Sequence, residues 1–594
     1  MEIYTLDVYK TTESLVIKGF SAIQNLLRHN LGFQNCIKDG KNIDPACGCG
    51  NFLVIAYREL RRLELEIYKE LYVNDNMFVQ MSVDINILYD CIDVDCMYGI
   101  EKEEFAANIA QVAIWLVDHQ MNMELSQEFG EYFVRFPLKK AANIINGNAL
   151  KVNWNEIIPR EKLTYIVGNP PFISKKNRDK QQNLDMQAIC KEVTNYGLLD
   201  YVCCWYIKTV EFIKNTNIKV AFISTNSIVQ GEQVSVLWKY LLKKNIKINF
   251  AHRTFKWSNE YRKDAQVYVV IIGFSYINSL NKVIYDYEIP NSNPMKIKVK
   301  KINPYLLEQD DFIIENRSKP ICKVPKINFG NMPNDNGNFL FTDEEKNEFL
   351  LREPKAEKFF RRFISAREFL HDEKRWCLWL KDAKPSEIVD MPKVYNLVKR
   401  VKESRLSSKR GATRKLADYP YLFGEIRQEK GNYILIPRHS SEQRKYIPMG
   451  FFSDEYIAAD SCCIIKNADL YHFGVLMSEM HMAWVRQICG RIKSDFRYSN
   501  KLVYNNFPWP ENPSYEKMLC VEKTVKRLLR VREEYKDQSL AQLYNPVITP
   551  YKLCEVHKEL DKAVDKCYRS QKFYNDFNRM KFLFDLYKSY INND

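Results

Sequence analysis

Asn169-Pro170-Pro171-Phe172 are the residues whose types and spacing speak most directly of chemistry. They close a β-branched and aromatic run, Leu163-Thr164-Tyr165-Ile166-Val167-Gly168, which reads as a buried strand entering a rigid loop. Consecutive prolines fix φ and bring no N–H of their own, so the loop can offer an Asn amide, a bare carbonyl and an aromatic face in one geometry. An exocyclic amine on a nucleobase is a poor nucleophile because its lone pair is delocalised into the ring. The Asn169 oxygen and the Pro170 carbonyl can each accept one of its two N–H bonds, drawing the nitrogen toward a tetrahedral shape with its lone pair free for an electrophile. Phe172 then suits stacking on a base flipped out of its duplex. Alone, the tetrapeptide is better explained by an ordinary proline turn after a strand, so the elements around it decide.

Three further strand-to-turn passages supply that context. Lys41-Asn42-Ile43-Asp44-Pro45-Ala46-Cys47-Gly48-Cys49-Gly50-Asn51-Phe52 runs into a helix from Phe52 to about Leu71, striped by Leu53, Ala56, Leu60, Leu63 and Ile67. Glycines 48 and 50 let a ligand approach the backbone, and the helix start presents outward N–H groups. Met97-Tyr98-Gly99-Ile100-Glu101 is a short strand ending in a carboxylate, followed by a helix from Glu103 to about His119. In nucleotide-type α/β folds such a carboxylate accepts ribose hydroxyls. The interval from Gly50 to Glu101 far exceeds the usual gap of about 20 residues, which reads as an insertion between Tyr72 and Asp95. Asn146-Gly147-Asn148-Ala149-Leu150 fits a third strand-end loop, placed to touch an adenine ring. All four motifs then fall on one edge of a parallel sheet, with Lys219 to Ser224 and Val267 to Phe274 as later buried strands.

Composition bounds the rest. The 594 residues allow three or so domains at roughly 100–200 residues each, and 46% hydrophobic residues describe a folded chain. A net charge of +14 suits a polyanion. Sixteen cysteines without an apolar leader read as reduced thiols in the cytoplasm, and no paired C-x-x-C spacing suggests zinc, so no metal is expected. No apolar run reaches the roughly 20 residues that span a bilayer, so no membrane partner is expected.

Taken together, the Asp44–Phe52, Gly99–Glu101, Gly147–Leu150 and Gly168–Phe172 motifs resemble those of class I S-adenosylmethionine-dependent DNA adenine-N6 methyltransferases of the gamma motif order. The likeness continues through Asp200-Tyr201, Ile223-Ser224-Thr225-Asn226-Ser227-Ile228 and Phe255-Lys256-Trp257-Ser258. It also takes in Ile436-Pro437-Arg438-His439-Ser440-Ser441, Ser494-Asp495-Phe496-Arg497-Tyr498-Ser499 and Tyr504-Asn505-Asn506-Phe507-Pro508-Trp509-Pro510. From about residue 41 onward the chain resembles the methyltransferase and target-recognition parts of MmeI-like type IIL restriction–modification enzymes.

The resemblance implies a Rossmann-like methyltransferase sheet (α/β), an α+β target-recognition domain and a helical C-terminal tail. It implies S-adenosylmethionine as cofactor, with Asp44, Ala46, Gly48 and Gly50 at its methionine end, Glu101 at its ribose, and Asn148 with Ala149 at its adenine. Asn169, Pro170, Pro171 and Phe172 would hold the flipped adenine, and positioning with amine polarisation would carry the rate. Asn rather than Ser at 169 favours adenine over the N4 amine of cytosine. A protein-glutamine substrate would leave the basic distal region without a purpose. A rival of another class is a catalytically silent DNA-recognition subunit of a split restriction system.

The expected boundaries are an N-terminal helical segment over 1–40, the methyltransferase domain over 41–290, a connecting region over 291–334, the recognition domain over 335–513 and a helical region over 514–594. Apolar positions between Thr11 and Arg28 mark the first helix, and Tyr4-Thr5 is a candidate remnant of the upstream motif that holds the cofactor's methionine end. The stretch ahead of Asp44 is short for a nuclease domain, so the expectation is a methylation-only protein, a subunit beside a separate nuclease, or a truncated product. Double-stranded DNA is the expected partner. Lys175, Lys176 and Arg178 after the catalytic loop, and Arg438, Arg444, Arg491, Lys493 and Arg497 in the recognition region, are the candidate DNA contacts. Phe255 and Trp257 are candidates for the second face of a base sandwich.

Overall fold

A computed structural model describes residues 40–73, 92–129, 141–257, 267–287, 292–492 and 494–592. The expected helix over 11–28, the Tyr4-Thr5 pair, Lys493 and most of the 72–95 insertion lie outside the described residues. The chain divides into two compact units, Met1–Ile313 and Ile314–Asp594.

In the first unit short, largely buried runs form the strands β1 (Lys41–Asp44), β2 (Met97–Glu101), β3 (Asn143–Asn146), β4 (Leu163–Gly168) and β5 (Lys219–Thr225). With β6 (Lys247–Trp257), β7 (Val267–Ser275), β8 (Lys282–Asp286) and β9 (Met295–Val299) they make, among the described residues, a nine-stranded sheet of order β3-β2-β1-β4-β5-β7-β6-β8-β9. The first five strands are mutually parallel, so their carboxyl ends share one edge. β7 enters antiparallel between β5 and β6. The sheet runs past residue 290, where the sequence placed the close of this domain, because β9 pairs antiparallel with β8. A Pro- and Asn-rich approach masked that strand, whose alternating lysines read as surface.

Helices α1 (Asn51–Val73) and α2 (Glu104–Phe129) cover the β1-β2-β3 half through Leu53, Ala56, Leu60, Ala110, Ile114 and Val117. α2 continues ten residues beyond the expected end at His119, since its second half is fastened to α1 by polar contacts that hydrophobic periodicity does not register. Arg61, buried between them, donates to the Ile92 carbonyl (2.9 Å) and Asn122 Oδ1 (3.1 Å), and Tyr57 donates to Asp118. Helices α3 (Lys180–Ile189), α4 (Cys203–Phe212) and α5 (Glu232–Lys243) follow the Asn169 loop in sequence.

The second unit is α+β in character. Ile327–Phe329, Tyr433–Pro437, Gly450–Phe452 and Cys462–Lys466 form one four-stranded sheet, so the connecting stretch before residue 334 contributes a strand to this unit. A second sheet is built on Phe360–Ile364 and Trp376–Leu378. The three short strands His439–Ser440, Gly490–Ile492 and Asp495–Arg497 pair into a third sheet. Two motifs distant in sequence, around 436–441 and 494–499, thereby meet. The C-terminal helices Tyr515–Glu533 and Tyr551–Tyr568 pack as amphipathic rods through Val521, Val525, Leu528, Leu553, Val556 and Leu560, and Tyr446 donates to Asp561 (2.7 Å). The tail is therefore fastened to the recognition fold.

Arg405, in the helix Pro392–Leu406, organises the loops beside it. Its side chain is 1% exposed and donates five hydrogen bonds to the carbonyls of Pro333, Asn334, Leu416, Tyr419 and Leu422. Arg405→Ala removes every donor at once and leaves buried acceptors, so it is expected to cost roughly 2–4 kcal/mol. Urea-unfolding midpoints of the full chain check this; an unchanged midpoint contradicts the role.

Candidate functional site

The parallel pairing of β1 with β4 and β2 brings the first three motifs to one edge. Asp44 at the end of β1 is fully buried. Its Oδ1 accepts the Ala46 N–H (2.9 Å), and its Oδ2 has no hydrogen-bond partner among the described residues. A Cβ at Gly168 would stand 2.5 Å from Asp44 Oδ1, so the last residue of β4 is glycine because the carboxyl lies against its backbone. Burial pushes the Asp44 carboxyl up to about 7, the Ala46 N–H holding it down in part and Glu101 adding to the rise.

The turn after β1 is left-handed at Gly48 (φ +55°) and Gly50 (φ +83°). A Cβ at Gly48 would meet open space, whereas at Gly50 it would press on Ala110 at 3.0 Å. Glycine is needed in both places for φ, and at Gly50 for packing as well. Glu101 at the end of β2 clasps this turn: Oε2 accepts the Gly48 N–H and Oε1 the Glu103 N–H, each at 2.9 Å. Each carboxylate oxygen keeps a lone pair for a hydroxyl.

After β3, the Asn148 side chain is folded onto the protein. Oδ1 accepts the Leu150 N–H and Nδ2 donates to Asp185, both at 2.9 Å, leaving one hydrogen-bonding position at each end of the amide. Ala149 is buried, and its carbonyl accepts from Trp154 Nε1 (2.9 Å) and Lys208 Nζ (2.7 Å). Burial lowers the Lys208 amine to about 8.

Asn169 is half-buried, and its Oδ1 is a buried acceptor with no partner among the described residues. Pro170 is buried, Pro171 half-buried, and Phe172 packs at the margin of a cluster built from Ile223, Phe255, Val269, Ile271 and Tyr287. Behind the loop, Tyr201 N–H donates to the Ile173 carbonyl (2.9 Å) and Lys175 N–H to Asp200 Oδ1 (3.2 Å). Asp200 Oδ2 accepts from Ser227 (2.9 Å) and Gln233 (2.7 Å), and Trp205 donates to the Pro45 carbonyl (3.0 Å). Of these braces only Asp200-Tyr201 and Ser227 lay in stretches the sequence singled out; Asp185, Trp205, Lys208 and Gln233 carried no local signal. Phe255 is 3% exposed and stacks on Tyr287 (5.1 Å), which makes it core, while Trp257 stays half-buried.

The candidate DNA contacts separate by environment. Lys175, Lys176 and Arg497 are exposed. Arg178 folds back onto Met186 and the Gly197 carbonyl. Arg438 stacks on Phe329 (4.3 Å) and donates to the Asp460 carbonyl (2.8 Å); Arg491 stacks on Phe496 (4.0 Å) and donates to the Ser494 carbonyl (2.8 Å). Arg438 and Arg491, both half-buried, thus help to hold the fold, since guanidinium planes stack on rings as readily as they pair with phosphates. Burial lowers the Arg444 pKa, with Asp495 opposing.

Residues 21–286 match the family described as MmeI, DNA-methyltransferase domain, residues 308–511 the MmeI target recognition domain, and residues 514–593 the MmeI C-terminal domain. DNA methyltransferase A of Bacillus subtilis (strain 168) is 39% identical over 553 residues, covering 92% of this chain and 61% of the relative. The chain thus spans about 61% of that curated relative's length. The structure of the type IIL restriction–modification enzyme MmeI in complex with DNA is 44% identical with a TM-score of 0.80, covering 100% of this chain and 78% of that one.

The raised Asp44 carboxyl has a thermodynamic consequence. Its folded value lies above the ordinary 3.8, so its contribution to stability is fully present below about 3.8 and is lost as pH rises through about 7. Asp44→Asn keeps the acceptor for Ala46 without a charge to bury. Relative to wild type it is expected to gain about 2–4 kcal/mol near pH 8, a gain that shrinks toward pH 4. Urea midpoints across that range decide; a pH-independent difference contradicts the assignment.

Proposed function

The chain belongs to the MmeI family, and on that premise we propose that it transfers a methyl group from S-adenosylmethionine to the N6 amine of an adenine flipped out of duplex DNA at a specific sequence. The observation that carries the reading is Asn169 Oδ1, a buried acceptor awaiting a donor, one residue beyond the glycine against which Asp44 lies.

The residues present suit the cofactor. Asp44 Oδ2 lacks a donor, Gly48 borders open space, and Glu101 retains lone pairs for hydroxyls. In this reading Asp44, Ala46, Gly48 and Gly50 hold the methionine end, Glu101 the ribose, and Asn148 and Ala149 the adenine. A carboxyl held near 7 ionises readily once an ammonium group approaches it. Bound S-adenosylmethionine supplies a sulfonium methyl that is already activated, so the protein's task is to aim the amine.

Asn169 Oδ1 and the Pro170 carbonyl accept the two amine N–H bonds, which localises the lone pair on nitrogen and directs it out of the ring plane. Phe172 stacks on one face of the base, and Trp257 is the candidate for the other. No strong base is required, because the methylated amine is acidic enough to release its proton to water. Lys175, Lys176 and Arg497 are the exposed cations we assign to DNA, and duplex DNA is the partner. A separate nuclease subunit and a cytoplasmic location accord with this reading; among the described residues no helix is long and apolar enough to cross a membrane.

Transfer of labelled methyl from S-adenosylmethionine to unmethylated plasmid, followed by nucleoside mass spectrometry, tests the proposal. Wild type is expected to yield N6-methyladenine at a discrete sequence. Asn169→Ala is expected to lose at least about 100-fold in kcat, with cofactor affinity nearly unchanged. N4-methylcytosine would reassign the base. Sequence-specific binding without label would favour the silent recognition subunit.

A further inference from the structure

Asp185 is 3% exposed and lies on α3, the helix entered directly from the catalytic loop. Its carboxylate has three side-chain donors: Asn148 Nδ2 (2.9 Å) and the Tyr201 hydroxyl (2.9 Å) on Oδ2, and Gln181 Nε2 (3.0 Å) on Oδ1. Lys151 Nζ stands 3.8 Å away. Asn148 belongs to the loop after β3, and its other end fixes the Leu150 N–H. Tyr201 reaches the other site, since its backbone N–H holds the Ile173 carbonyl, next to Phe172. Asp200 beside it holds the Lys175 N–H. A single carboxylate oxygen thus joins the loop read here as the adenine seat of the cofactor to the residue that braces the loop read as the base pocket.

We propose that Asp185 is a positioning residue that couples the two sites, so that cofactor in the loop over 147–150 firms the Asn169 loop for the flipped base, and DNA in turn tightens the cofactor. The inference rests on the functional reading above. Its physical basis is that a buried carboxylate with both oxygens engaged resists movement of any one donor without movement of the others. Against the cost of burial, the bonds from Asn148, Gln181 and Tyr201 hold its pKa below the ordinary value, so the charge that organises the donors persists through neutral pH. Coupling of this kind is reciprocal.

Tyr201→Phe deletes the hydroxyl on which the coupling depends and leaves the backbone brace. The measurement is the affinity of the full chain for S-adenosylhomocysteine by calorimetry, with and without unmethylated plasmid DNA. Wild type is expected to bind it more tightly with DNA by a factor within the usual range of about 5–150. In Tyr201→Phe that factor is expected to fall to within about twofold of one, while affinity without DNA changes little. Asp185→Asn, close in shape, provides a second variant with the same expected loss. A purely structural role would lower melting temperature and both affinities together and leave the factor intact, and that result, or a wild-type factor near one, overturns the proposal. Methyl transfer by the wild type, run alongside, separates the two claims. Label with an unchanged factor in the variants sinks the coupling alone; coupling without label sinks the proposed activity and leaves the coupling standing.

Discussion

The close approach of the Asp44 carboxyl to the backbone of Gly168 is the constraint on which this edge of the sheet depends. Parallel pairing of β1 with β4 sets the two strand ends side by side, and the absence of a Cβ at 168 lets a carboxyl lie where any other residue would exclude it. From that contact the rest of the edge takes its place. Asn169 follows at once, the Gly48 turn is clasped by Glu101 from the neighbouring strand, and Trp205 pins the Pro45 carbonyl. A buried acid at about 7 is costly in isolation, and such strain is tolerated where a ligand is expected to relieve it.

The Asn169 loop is rigid for two reasons that act on different lengths of chain. Within the loop, prolines 170 and 171 remove backbone freedom and donors. Beyond it, Asp200 and Tyr201 hold Ile173 and Lys175, and Asp200 is itself held by Ser227 and Gln233 from elements that follow β5. In the proposed reaction a weak nucleophile needs sub-ångström alignment, which one proline pair cannot supply unaided.

In the second unit, arginine is used as structural cement as much as surface charge. Arg405 satisfies five carbonyls, and Arg438 and Arg491 stack on Phe329 and Phe496. The net charge of +14 therefore overstates the cations free for phosphate. The small sheet that pairs His439 with Arg497 nonetheless leaves the latter exposed, beside neighbours that are buried.

Local chemistry was legible in the sequence. Proline and glycine restrict or widen φ wherever they stand, and β-branched runs form strands by their own packing. The four strand-end motifs, the start of α1 and the helical character of residues 514–594 were accordingly visible without coordinates. Tertiary structure alone decided which partners those residues take. Phe255 and Trp257, two residues apart, differ in burial; Arg438 and Arg497 carry the same charge, yet only one remains exposed. Asp185 is one acid in a polar helix until folding sets Asn148 and Tyr201 against it. The sequence determined the residues that can do the chemistry, because backbone preference is local; the fold determined which of them are held, buried or free, because hydrogen-bond partners and solvent exposure depend on residues far away in the chain.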